Sequence, residues 1–157
     1  MSFTESLFKN FLNFLNQHFI PITTISLSNL EINENYLVFT KTNEFIHFLL
    51  FRNGYYYHCH PSVESNGNNF QKVHAMDYRE GEILAIFKSK KNIQLEDTYE
   101  CQWTHSDHCL TFCLDALEIE YNKDLINLDL FKALFLHPKL FLSIYVGLEI
   151  GSKILSK

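Results

Sequence analysis

A chain of 157 residues that is 46% hydrophobic and 20% charged can bury one self-sufficient core and is too apolar to be a disordered segment. Its net charge of −5 and pI of about 5.9 lack the basic footprint of a nucleic-acid binder. Fifteen Phe and eight Tyr exceed what a core requires, which points to a ring-rich contact surface.

In chain order, Ser2 and Glu5 are spaced as a capping box, each side chain satisfying a free backbone N–H at a helix start. Leu7, Phe8, Phe11, Leu12, Leu15 and Phe19 recur at helical spacing, and Pro21 ends the pattern, so residues 3–19 read as an amphipathic helix. Glu5 replaces the positive charge of a secretion signal, and Asn13, Asn16 and Gln17 interrupt the apolar run. A cytoplasmic protein with four reduced cysteines is the expectation.

Residues 24–32, 36–41, 45–52 and 55–60 are β-prone runs joined by short polar breaks, the pattern of an antiparallel meander. Asn53-Gly54 is the sharpest signal, because both residues tolerate the positive φ of a type I′ turn. A two-residue turn sets Arg52 opposite Tyr55, Phe51 opposite Tyr56 and Leu50 opposite Tyr57. Ile46, Phe48, Leu50, Tyr57 and Cys59 then share an apolar face directed to the core. Phe45, His47, Leu49, Phe51, Tyr56, His58 and His60 share the other, which a helix covers or a partner meets.

Residues 62–69 read as a loop, residues 71–82 are left open, and residues 82–88 read as a buried strand. Alternation over residues 98–121 predicts a second hairpin about Ser106-Asp107, with Trp103 beside Leu110 and Cys101 beside Phe112. Beyond residue 125 the spacing is helical again, with a stripe of Leu128, Phe131, Leu134 and Phe135. Pro138 opens a second helix carrying Leu140, Ile144, Leu148 and Leu155. Gly147 and Gly151 would permit close approach of another element. His137, Pro138, Lys139 and Glu149 interrupt this most apolar region, which therefore does not read as a membrane span. The prediction is a single α+β domain over residues 1–157. It has an N-terminal helix, an antiparallel sheet of five to seven strands (meander plus hairpin) and a C-terminal helical pair.

Three groups of residues suggest chemistry. His58 and His60 lie on one side of a strand, and Glu64 could complete a two-histidine, one-carboxylate metal site. The spacing Gly54-(x)3-His58-x-His60-(x)3-Glu64 resembles a fragment of the first cupin motif. No second motif follows, and helices after residue 125 fit a jelly roll poorly, so no metal or other cofactor is favoured. Cys101, His105, His108, Cys109 and Cys113 lack the paired spacing of a zinc set. Cys59 and Cys109 each neighbour a histidine in sequence, but neighbours on a strand point to opposite faces.

The expected function is therefore binding, with no catalytic residue assigned. A non-enzymatic, acidic module of a bacterial cytoplasm fits best, similar in class to the toxin-neutralising immunity proteins that block a cognate toxin domain. Its partner would be a basic protein, and neither nucleic acid nor membrane is expected. Phe45, His47, Phe51, Tyr56, His58 and His60 are the candidate contact surface. A secretion-chaperone-like binder of an unfolded segment is one alternative. A small metal-dependent enzyme or ligand-binding domain using His58, His60 and Glu64 is the other.

Overall fold

The computed structural model describes residues 2–23, 26–42, 45–63, 67–78, 81–104 and 108–155, with Thr42, Phe45 and residues 148–155 described by backbone alone. Helix α1 (Phe3–His18) starts at Ser2, whose Oγ accepts the Glu5 N–H at 3.1 Å. It runs directly into strand β1 (Phe19–Ile22). Strands β2 (Tyr36–Thr42), β3 (Phe45–Arg52), β4 (Tyr55–Cys59) and β5 (Phe70–His74) form an antiparallel meander. Strand β6 (Glu82–Ser89) returns across the sheet to pair with β2, and β1 adds to its far side. The spatial order is β1-β6-β2-β3-β4-β5, with β1, which contains Pro21, and β5 at the edges. Helices α2 (Cys109–Ala116), α3 (Leu128–Leu136) and α4 (Pro138–Leu155) complete the α+β architecture.

The turn between β3 and β4 has two residues, with Asn53 at φ 51° and Gly54 at φ 87°. The register sets Arg52 opposite Tyr55, Phe51 opposite Tyr56 and Leu50 opposite Tyr57. Both central residues occupy the left-handed region, as a type I′ turn requires.

The sheet has two differently covered faces. On the first, Leu37, Phe39, Ile46, Phe48, Leu50, Tyr57 and Phe87 meet buried residues of all four helices, including Phe8, Leu110, Leu134 and Phe141. Phe39 is the hub, with ring centroids 4.6 Å from Phe48, 5.0 Å from Phe87 and 5.9 Å from Phe141. On the second face, Tyr36, Val38, Leu49, Phe51, Tyr56 and Ile86 are buried under two connections instead of a helix. The β1–β2 connection contributes Leu27 and Leu30 from a 3-10 turn (Leu27–Asn29) and its flank. The β5–β6 connection contributes Ala75 and Tyr78 around another 3-10 turn (Ala75–Asp77).

Three sequence expectations are corrected. Of residues 24–32, expected as a strand, the described part, residues 26–32, holds the 3-10 turn, and the strand lies earlier, at β1. Ser26, Ser28 and Asn29 favour local bonding over a ladder, as the 2.8 Å contact between the Ser26 and Ser28 hydroxyls illustrates. The second hairpin is also absent among the described residues, its proposed turn at Ser106-Asp107 lying outside them. Residues 98–104 follow an irregular course tied to Asn68 and Asn69, while α2 occupies the proposed return strand. Helix α2 is buried on nearly every side, so it has no polar stripe to reveal its period; Cys and Thr, counted as polar, imitated a two-residue alternation. His108 and Thr111 form its capping box, with the His108 N–H donating to Thr111 Oγ1 at 2.8 Å and the Leu110 N–H donating to His108 Nδ1 at 3.3 Å. It ends in a Schellman motif: Glu118 adopts φ 55°, its N–H bonds the Asp115 carbonyl, and the Ile119 N–H bonds the Leu114 carbonyl. Gly147, finally, is not at a close approach of another element, since among the described residues no atom outside its own helix lies within 4 Å of where its Cβ would sit; Gly151 is described by backbone alone.

Among the described residues, no single helix is long and apolar enough to cross a membrane.

Candidate functional site

The histidines of the second face converge at the end of the sheet. His47 on β3 and His58 on β4 are each 2% exposed. His47 Nε2 lies 2.9 Å from His58 Nδ1, and His58 Nε2 lies 2.9 Å from Gln71 Oε1 on β5. The Gln71 oxygen can only accept, so His58 donates from Nε2 and receives the His47 proton at Nδ1. Two histidines on neighbouring strands and a glutamine on a third thus fix both tautomers. The His60 ring is edge-on to His47 at 5.0 Å, and its Nδ1 accepts from the Ser62 N–H at 3.0 Å. Burial, reinforced by His58 and His60 close by, holds the His47 pKa well below its ordinary value. His47 is therefore held neutral near physiological pH within this hydrogen-bonded network.

This arrangement changes the role of the sequence-predicted surface. Phe51 and Tyr56 do share a face with the histidines, but they are buried, their rings 5.6 Å apart with Tyr78 5.0 Å beyond Tyr56. Of the predicted contact residues, His60 alone is both described and partly exposed; Phe45 lies in β3 with its side chain outside the described residues. Glu64 and His105 also fall outside them. His58 has both ring nitrogens in hydrogen bonds, so it is not a ready ligand. Among the described residues, no three His, Cys, Asp or Glu side chains group as a metal would require.

A second feature lies where the sequence reading placed the hairpin. Residues 99–104 run along α2 and leave between them a cleft of about 920 Å³. Its walls include Tyr99, Glu100, Gln102, Thr104, Thr111 and Asp115. Asn68 positions one wall through its side chain, accepting the Cys101 N–H at 3.0 Å and donating to the Tyr99 carbonyl at 2.8 Å. Cys59 and Cys101 share the cleft lining. The interaction between the two thiols lowers the Cys101 pKa and raises that of Cys59. Burial pushes the Cys109 thiol up to about 11 and raises Cys113 as well.

The cleft stands in a strongly acidic stretch. Residues 92–129 hold nine of the eighteen acidic residues and Lys123 as the one basic residue. That is a net −8, against +3 for the remainder of the chain. Glu96, Glu100, Asp115, Glu118, Glu120 and Asp124 are exposed there. Asp97 pairs with Lys72 at 2.8 Å. A windowed charge count would have found this asymmetry, which the whole-chain value of −5 conceals.

Comparison with protein-family models, with curated proteins and with solved structures gives no match.

Proposed function

We propose that the chain is a non-enzymatic protein-binding module that takes a basic partner into the acidic cleft between residues 99–104 and α2. The mode of action would be that of a toxin-neutralising immunity protein, occupying a cationic functional surface of its partner. One observation carries the reading: charge is segregated along the chain, with half of the acidic residues in the stretch 92–129 that supplies Glu100 and Asp115 to the cleft walls. A field of one sign over a concave surface raises the encounter rate with an oppositely charged protein and disfavours other partners. The contact surface differs from the β3–β4 face inferred from sequence alone, because Phe51 and Tyr56 are occupied in packing.

The test is binding to the product of an adjacent reading frame, measured by calorimetry at low and high salt. The expected result is a one-to-one complex weakened by salt. The double variant Glu100→Lys, Asp115→Lys should raise Kd by about tenfold or more, given the coupling of close charge pairs. Unchanged affinity in that variant, with its circular dichroism native, would remove the cleft as the contact surface.

A further inference from the structure

A separate cavity of about 520 Å³ lies between the start of β3, the residues following β4, Trp103 and α3. Ile46, Phe48, Trp103, Phe131 and Leu134 line it, and its size falls within the range of about 300–1,000 Å³ usual for small-molecule sites. His47 and His60 contribute ring surface to one wall, with His47 Nε2 already committed to His58. Phe135 and Leu136 also line it and are 53% and 65% exposed, so an apolar rim continues outward to solvent. Lys132 is the single charged residue of the lining, it is exposed, and it has no ion pair among the described residues.

We infer that this cavity binds a long-chain monocarboxylate, with the hydrocarbon chain among the apolar walls and the carboxylate at the mouth beside Lys132. The chemistry of the lining selects this class. A peptide would bring backbone N–H and C=O groups into walls with almost nothing to pair them, at a cost comparable to a lost hydrogen bond each. A hydrocarbon chain makes no such demand, and its burial releases water from Trp103 and Phe131. One unpaired ammonium at the entrance complements one carboxylate, and its exposure lets the charged head remain hydrated. The site is independent of the acidic cleft, so either assignment can fail without the other.

Trp103 is the single tryptophan of the chain and lies in the cavity wall, its ring 5.6 Å from Phe131, so its emission reports occupancy directly. The experiment titrates the full chain with dodecanoate and with dodecanol, below micelle formation, following Trp103 emission and heat. The expected result is a saturable one-to-one change with both probes. Lys132→Ala should weaken dodecanoate by about three- to fivefold, as an exposed ion pair would, and leave dodecanol unaltered. Pro61→Phe, at an exposed lining position, should weaken both by obstructing the entrance. Neither emission change nor heat with dodecanoate overturns the proposal. So does an equal response of the two probes to Lys132→Ala, or wild-type binding in Pro61→Phe.

Discussion

The two faces of the sheet are both buried, yet they are covered by different kinds of structure. Four helices cover the first face, and its interior is almost wholly apolar rings and branched chains. Two connections with 3-10 turns cover the second, and buried Thr40, His47 and His58 sit beside its aromatic residues. The difference teaches what each cover permits. Helices satisfy their own backbone and present a continuous apolar stripe, so the layer beneath can remain dry. Irregular connections bring fewer apolar side chains, and the polar groups beneath must satisfy one another, as His47, His58 and Gln71 do.

The largest expected effect sharpens this contrast directly. Phe39→Ala on the first face should cost about 3–5 kcal/mol in urea unfolding, because the surrounding rings belong to packed helices and strands that cannot close the void. Phe51→Ala on the second face should cost at least about 1 kcal/mol less, since connections collapse into a cavity more readily. Equal losses would break the comparison.

Acid should act selectively on the second face. His47 has a lowered pKa in the folded chain, so below its unfolded value of 6.5 the unfolded chain binds more protons. Stability is then retained above that pH and falls as pH drops toward the folded pKa, by up to about 1.4 kcal/mol per pH unit for each proton excluded. His58 and His60 face the same ring, and positive charge on either opposes its protonation. His47→Gln should flatten the slope of the urea midpoint against pH between 6.5 and the folded pKa, while Phe39→Ala should leave that slope unaltered.

Arg52, on the same side of β3 as Leu50, tests how the sheet is tied to the acidic stretch. Its guanidinium donates to Asn35 Oδ1 at 2.9 Å, to Asn92 Oδ1 at 2.8 Å and to the Ile93 carbonyl at 3.3 Å. Arg52→Ala should destabilise by about 1–3 kcal/mol, read as a lower melting temperature. The smallest effect is a gain. Glu118→Gly relieves a left-handed residue at the end of α2 and should stabilise by about 1 kcal/mol, read by the same melt.

How much of this was legible in the sequence depended on whether the determinant was local. Asn53-Gly54 dictated its turn because two residues alone must adopt positive φ, and the register followed. Ser2 marked the first helix by an interaction three residues long. Alternation correctly divided His47, Phe51 and Tyr56 from Phe48 and Leu50, but it identifies a face without saying what lies over it. The cover comes from Leu27, Leu30, Ala75 and Tyr78, in segments with no period to read. Helix α2 was misread for a related reason: burial all round leaves no polar side to betray its turn. The cleft was hidden with it, since both walls belong to the region assigned to a hairpin.

The placement of β1 and β5 at the sheet margins bears on how the protein behaves at high concentration. Proline at position 21 deprives one margin of an amide hydrogen, and that margin is four residues long. The opposite margin carries Lys72, whose ammonium is pinned by Asp97 and lies 4.6 Å over the Tyr55 ring. Each device discourages a neighbouring molecule from docking strand to strand, so self-templated fibre growth has no easy place to begin while the fold is intact.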